Sequence, residues 1–302
     1  MRKQVITLFL LSLAINGCGS VSYEPDAATE ARSCDSAKPF GAPTVVPNIN
    51  SSAGELGAVV ADARTIYWAS QRAGTYDLYL ATRTSQASSF TNPTPIIGVN
   101  GTGTELMPSL SSDGLTMYYV FAAAGGGNGD IYATKRVDVA SAFSLGTAVA
   151  QINLASDDGD PFVTTDSANL YFVSNRAGGV GSFDIYMAVE RSDGSFDLPQ
   201  PVSELNTAEL ESHPVLTADG LTIYWSSSRT DGGAQGQTDI WTATRVSKSE
   251  RFGSPVRVPE LNSDYEDAPT WIAPDGCRIY LQTNRPGGLG DWDIWEAVKP
   301  MN

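Results

Sequence analysis

The chain has 302 residues and a formal net charge of −15, from 19 basic and 34 acidic side chains. Its hydrophobic fraction of 41% and charged fraction of 18% are typical of a folded globular protein. Because an acidic surface repels phosphate backbones and anionic lipid headgroups, nucleic acid is excluded as an expected partner.

The first segment, residues 1–17, has the pattern of an export signal. Two basic residues precede an apolar run of 11 residues, Val5 to Ile15, which is too short to span a bilayer as a helix. Gly17 and Cys18 follow shortly after this run. A small residue directly before a cysteine resembles the lipobox of bacterial lipoproteins, and the resemblance implies a lipid on Cys18. The alternative is an ordinary secretory signal with a chance cysteine.

The next segment, residues 18–39, is predicted to be a flexible tether behind the lipidated cysteine. Small, acidic and proline residues dominate it, without a periodic apolar pattern. By the same resemblance, Gly19 in the position after Cys18 favours the outer membrane. The expected location is therefore the bacterial cell envelope, with membrane contact through the lipid anchor only.

Five repeats fill residues 40–299. Each contains an Asp-Ile/Leu-Tyr/Trp triplet, and the aspartates, which are 53 to 55 residues apart, are Asp77, Asp130, Asp184, Asp239 and Asp293. Before each triplet come a turn, a tyrosine-centred apolar segment and a glycine-containing loop. After it comes a segment that runs from phenylalanine to asparagine. These pieces predict four short strands per repeat, and no stretch after residue 20 has sustained helical periodicity.

The best copies of the repeat lie at Pro108 to Asp113 and at Tyr171 to Tyr186. They resemble the WD40-like repeat of TolB-type propellers, which implies a β-propeller with protein-binding or envelope-associated roles. The chain begins with an outer strand (Phe40 to Asn50) and ends with a third strand (Asp293 to Val298). We therefore predict an all-β, five-bladed, monomeric propeller of four-stranded antiparallel blades, in which the N-terminal strand completes the last blade.

One acidic residue precedes the first strand of every repeat. The predicted set is Glu55, Glu105, Asp158, Glu211 and Glu266, which a ring of blades would place near one mouth of the central channel. One interpretation is a site that attracts a cation or a basic peptide segment. The other is structural: each acid caps backbone amides or pairs with an arginine of the Ser/Thr-x-Arg motif, which copy two lacks. Those arginines are Arg72, Arg176, Arg229 and Arg285.

Two cysteines remain after Cys18. Cys34 lies just before the strand that completes blade five, and Cys277 follows the first turn of the same blade. Because neighbouring strands alternate in direction, both lie at one end of that blade. An oxidising envelope permits the resulting hypothesis of a Cys34–Cys277 disulfide, and two unrelated thiols are the alternative.

The sequence predicts no catalytic residue, no metal site and no cofactor. His213 is the only histidine and is assigned to packing in the first strand of copy four. The segment Asp157-Asp158-Gly159-Asp160 carries ligands suited to calcium but lacks the spacing of a known calcium loop. No nucleophile elbow or phosphate-binding loop occurs.

The leading functional hypothesis is a non-enzymatic envelope lipoprotein whose propeller face binds a protein or an envelope polymer. The alternative is a glycan-active enzyme, since paired carboxylates on a five-bladed propeller can hydrolyse glycosidic bonds. Glu211 and Asp267 are the candidate acids of that alternative. It requires two acids in distinct environments, whereas the repeats predict a near-symmetric ring.

Overall fold

The computed structural model describes residues 34–125 and 128–302, and in those ranges the chain forms 20 strands and no helix. Accordingly, no helix within these ranges has the length and apolar character needed to cross a membrane. The predicted signal peptide (1–17) and the lipidation site Cys18 lie outside the described residues, as does most of the predicted tether.

The strands form five antiparallel sheets of four strands each, which confirms the predicted five-bladed propeller. Blade one contains β2 (Glu55–Val60), β3 (Thr65–Ser70), β4 (Asp77–Thr82) and β5 (Thr91–Pro95). Blade two contains β6 (Thr104–Leu110), β7 (Thr116–Ala122), β8 (Asp130–Lys135) and β9 (Thr147–Ala148). Blade three contains β10 (Asp158–Val163), β11 (Asn169–Ser174), β12 (Asp184–Val189) and β13 (Gln200–Pro201). Blade four contains β14 (Glu211–Leu216), β15 (Thr222–Ser227), β16 (Asp239–Thr244) and β17 (Val256–Arg257).

Blade five is built from both ends of the described chain. It contains β18 (Asp267–Ile272), β19 (Arg278–Thr283), β20 (Asp293–Val298) and, at its outer edge, β1 (Thr44–Val45). Thr44 pairs with Glu296 and Val45 with Trp295, so the N-terminal strand completes the last blade, as predicted. The first strand of each blade contacts the first strands of its two neighbours, and together these five strands enclose the central channel.

The outermost strands are shorter than the eleven-residue segments expected from the sequence. In blade three only Gln200–Pro201 pairs with β12. The side chain of the asparagine that ends the segment also bonds to the backbone of β12. Asn206 Oδ1 accepts the Ile185 N–H at 2.8 Å, and Nδ2 donates to the Ile185 carbonyl at 3.0 Å. The same two-bond clamp recurs in every blade, which explains why an asparagine ends all five segments; the others are Asn50, Asn100, Asn153 and Asn262.

The core lies between the faces of adjacent blades and centres on the second strand of each. The same position of this strand carries a large, fully buried side chain in all five blades: Trp68, Tyr119, Phe172, Trp225 and Leu281. Both faces of these strands are buried, so apolar residues follow one another instead of alternating with polar ones. This arrangement fixes the blades around the channel and determines which side chains reach it.

Candidate binding site in the central channel

The repeated acids are interior groups in this structure. The carboxylates that start the first strands are fully or almost fully buried, at 0% exposure for Glu55 and Glu211 and 1% for Asp158. None of them lines the central cavity among the described residues. The structural interpretation therefore explains why the acids recur, because each is buried within its own blade and does not face the cavity.

Four blades hold the acid with the predicted arginine. In blade three, Arg176 Nη2 lies 2.6 Å from Asp158 Oδ1 and donates to the Ile152 carbonyl at 2.8 Å, while Arg176 Nε donates to Ser174 Oγ at 2.8 Å. The guanidinium also stacks over aromatic rings of the second and third strands. The corresponding pairs are Arg72–Glu55, Arg229–Glu211 and Arg285–Asp267.

The fifth residue of the predicted set requires a correction. Asp267, not Glu266, starts the first strand of blade five, is 0% exposed and pairs with Arg285. Glu266 lies one residue earlier and is half-buried, where its Oε1 accepts a bond from Asn284 at 3.4 Å. Two adjacent acids left the register ambiguous in the sequence, and strand pairing of Asp267 with Thr283 resolves it.

Blade two breaks the pattern at Glu105. Its strand partner is Phe121, where blade one has Ser70, and Ala123 stands in the arginine position. Glu105 is 0% exposed; Oε1 accepts the Gly101 N–H at 3.1 Å, and Oε2 meets no N–H or hydroxyl donor among the described residues. Burial, opposed by the Gly101 bond and reinforced by the nearby carboxyl of Asp77, raises the pKa of Glu105 to about 7.

This raised pKa predicts that the propeller loses stability as the pH rises. The folded state holds the Glu105 proton more tightly than the unfolded chain, where the pKa is 4.5. The stabilisation is therefore complete below pH 4.5 and is lost as the pH rises to about 7, by an amount on the order of 3 kcal/mol. Glu105→Gln is expected to remove most of this loss, measured by urea unfolding at pH 5 and pH 8.

Blade one supplies the matched control for this variant. Glu55 occupies the same position but pairs with Arg72. Glu55→Gln removes the charge that balances a guanidinium, so it is expected to lower stability at both pH values. If Glu105→Gln also lowers stability at pH 8, Glu105 is a charged group that the blade needs, and the prediction is wrong.

The structure joins Cys34 and Cys277 through a disulfide, with the two sulfur atoms 1.99 Å apart and the Cα atoms 5.8 Å apart. Cys34 precedes β1, and Cys277 lies in the turn between β18 and β19 of the same blade. Cys34 also bridges to Met301 as an isolated backbone pair. Both ends of the described chain are thus held at blade five.

The central cavity has a volume of about 410 Å³ and is lined by the first strands of all five blades. Each of these strands contains a β-bulge, at which the register to the second strand shifts by one residue. The residue two positions after each buried first-strand acid lies at or beside this bulge and lines the cavity. These channel positions are Gly57, Met107, Asp160, His213 and Pro269, and they differ in every blade.

Three of the channel positions hold non-glycine residues in the left-handed region. The φ angles are 50° at Met107, 47° at Asp160 and 53° at His213. Such conformations cost on the order of 1–3 kcal/mol each and occur frequently at functional sites. The bulges therefore turn chosen side chains toward the channel at a cost in stability.

A hydrogen-bonded chain crosses four blades at this level. Asp160 Oδ2 of blade three accepts the His213 N–H of blade four at 3.1 Å and lies 3.5 Å from His213 Nδ1. On the other side of the ring, His213 Nε2 lies 3.0 Å from Gln282 Nε2 of blade five. Gln282 Oε1 accepts the Gly57 N–H of blade one at 2.8 Å. The interpretation of His213 as a packing residue did not predict this series of hydrogen bonds.

A signal for these residues was present in the repeats. Two residues after each first-strand acid, the five copies carry five different residue types, while the next position is proline in three copies. Function is expected where copies differ, and this column was the most divergent position of the inner strands. Contact between neighbouring blades, which pairs Asp160 with His213 across 53 residues, became visible only in three dimensions.

The three aspartates of the segment considered for calcium have three different roles. Asp157 accepts bonds from the Gly129 N–H and the Asn175 amide, Asp158 pairs with Arg176, and Asp160 faces the channel. Across residues 34–125 and 128–302, no three His, Cys, Asp or Glu side chains are grouped so that they could hold a metal ion.

Comparison with known proteins shows the fold. No protein-family model matches the chain, and no curated protein matches it. Among solved structures, a glycosyl hydrolase from Bacteroides ovatus is 12% identical, with a TM-score of 0.54 over 87% of this chain and 94% of that one. The catalytic domain of a GH62 α-L-arabinofuranosidase from Coprinopsis cinerea is 14% identical, with a TM-score of 0.50 over 87% and 98%.

TolB propellers also match the chain. TolB from Acinetobacter baumannii is 15% identical, with a TM-score of 0.46 over 91% of this chain and 68% of that one. The likeness to the two glycoside hydrolases shows a shared fold. At these identities, the function of this chain has to be argued from its own site.

Proposed function

We propose that this chain is a non-enzymatic propeller of the cell envelope, which binds a protein or an envelope polymer at its channel face. The observation that carries the proposal is the distribution of carboxylates. Among the described residues that line the cavity, Asp160 is the only acid. The other inner-strand acids are buried and held by arginines, or, in Glu105, by the Gly101 amide.

This distribution argues against glycoside hydrolysis. Hydrolases of that type need two carboxyl groups about 5–9.5 Å apart on either side of the scissile bond, both reachable by the sugar. Glu211 and Asp267, the candidate acids of that alternative, are both 0% exposed and paired with arginines. Glu105 and Asp77 have the unequal environments of an acid–base pair, but Glu105 is also 0% exposed, so no substrate reaches it.

The envelope location in the proposal comes from the N-terminal sequence. An export signal followed by Cys18 supports lipid attachment, and Gly19 supports the outer membrane. The Cys34–Cys277 disulfide is consistent with an oxidising compartment.

The test combines a hydrolysis screen with a binding screen on the full chain purified in detergent. The expected result is binding to an envelope protein or polymer, without release of reducing sugar from glycans or aryl glycosides. The heat-denatured chain serves as the background. Turnover that disappears in Asp160→Asn would overturn the proposal, because a channel carboxylate would then be catalytic.

A further inference from the structure

We propose that the central cavity binds the primary ammonium group of a ligand with an apolar frame, and that Asp160 receives this group. The inference rests on the proposed function and specifies the chemistry of the part of the ligand that enters the channel. Four properties of the cavity carry it: its charge, the protonation of His213, the scarcity of backbone N–H donors and the apolar walls.

The charge of the cavity comes from one side chain. Within residues 34–125 and 128–302, Asp160 is the only acidic residue that lines it, and no lysine or arginine does. The Asp160 side chain is 15% exposed, and its Oδ2 accepts the His213 N–H. Its Oδ1 has no donor among the described residues, so one carboxylate oxygen remains available to a cationic ligand.

The hydrogen-bonded chain fixes His213 as a neutral imidazole. The Gly57 N–H can only donate, so Gln282 Oε1 must accept it and Gln282 Nε2 must point toward His213. Because an amide nitrogen only donates, His213 Nε2 accepts, and the imidazole proton lies on Nδ1. That proton faces Asp160 Oδ2 and Ser226 Oγ. The charge of Asp160 is therefore left uncompensated by the protein.

The wall of the cavity offers few backbone N–H donors at the level of Asp160. Proline occupies the position after the channel residue in three blades and the channel position itself in blade five, which removes four backbone N–H groups; these are Pro108, Pro161, Pro214 and Pro269. The N–H groups of Gly57 and His213 are used within the ring. The loss of these backbone donors around the Asp160 carboxylate favours a ligand group that donates, such as an ammonium, over one that only accepts, such as a carboxylate.

The remaining lining is apolar and large enough for a small amphiphile. Phe162, Trp271, Leu216 and Ile272 are among the residues that line the 410 Å³ space. Apolar walls with a small number of convergent polar groups are typical of ligand sites. Thr270, which also lines the cavity, has a buried hydroxyl without a partner among the described residues. A single carboxylate is too few ligands for calcium, which takes six to eight oxygens.

The test uses three indole derivatives of nearly equal shape. Tryptamine carries an ammonium, tryptophol a hydroxyl and indole-3-acetate a carboxylate. Their dissociation constants for the full chain are measured by ligand-observed NMR at pH 7.5. Tryptamine is expected to bind at least about tenfold more tightly than tryptophol, and indole-3-acetate most weakly. The backbone amide signals of Gly57 and His213 should shift on binding.

Two variants test whether the preference for tryptamine depends on Asp160. Asp160→Asn is expected to bind tryptamine and tryptophol equally, since the asparagine oxygen can still accept the His213 N–H. Glu250→Gln removes the same charge from an exposed position and is expected to keep the preference. Equal binding of the three probes by the wild-type chain overturns the proposal without requiring any variant to fold. A preference that survives in folded Asp160→Asn also overturns it, while the broader binding function would stand.

Discussion

Reduction of the Cys34–Cys277 disulfide is expected to lower the free energy of unfolding by about 3–5 kcal/mol. The bond joins residues 243 positions apart, and a cross-link across a long loop restricts the unfolded chain most strongly. It also holds the end of the chain on which β1 depends, and β1 contributes only two residues to blade five. Urea unfolding with and without a phosphine reductant measures the difference.

The double variant Cys34→Ser/Cys277→Ser is the control for this prediction. Its stability should match that of the reduced wild-type chain, and the reductant should leave it unchanged. A reductant effect of the same size in the double variant would show that the loss arises elsewhere. Equal stability of the oxidised and reduced wild-type chain would contradict the prediction directly.

Arg176→Met is expected to cost about 3–5 kcal/mol, because it leaves the carboxylate of Asp158 buried without its partner. The arginine also provides the donors for the Ile152 carbonyl and for Ser174 Oγ. Methionine retains much of the packing of the long side chain, so the loss reports mainly on the uncompensated charge. Thermal and urea unfolding at pH 7 measure it.

The double variant Arg176→Met/Asp158→Asn separates charge from packing. Removing the acid as well as the arginine should restore part of the lost stability, because no buried charge remains. Blade two already combines an arginine-free site with a carboxyl whose pKa is raised to about 7. If the double variant is less stable than Arg176→Met, the pair acts through hydrogen bonds rather than through charge balance.

The sequence was sufficient to predict the architecture, because the repeats determine the number of blades and the order of their strands. The spacing of the Asp-Ile-Tyr triplets gave the blade number, and the order of the first and last strands gave the closure that the pairing of Thr44 with Glu296 confirms. The role of the asparagine clamp was not foreseen, since it depends on a side chain that replaces strand pairing. Even so, its recurrence in all five copies marked it as structural.

The candidate site was harder to predict than the fold. The acids were identified by their place in the repeat, but in four blades their burial depends on an arginine that lies 17 or 18 residues further on and pairs with the acid. The Asp160–His213 contact joins separate blades, so no local pattern signals it. A bulge also shifts the side chains of each first strand, which makes simple alternation an unreliable guide to what faces the channel.

The bulges affect how the ligand preference of such a protein can change by substitution. The five channel positions line the cavity and lie outside the packed faces between blades, so substitutions there need not be matched by changes in the core. Five such positions surround one cavity, and each blade contributes one. A library randomised at residues 57, 107, 160, 213 and 269 would therefore sample ligand preferences on a constant scaffold. Gly57 is the restricted member, because an added Cβ would lie 2.7 Å from Met107 Cα.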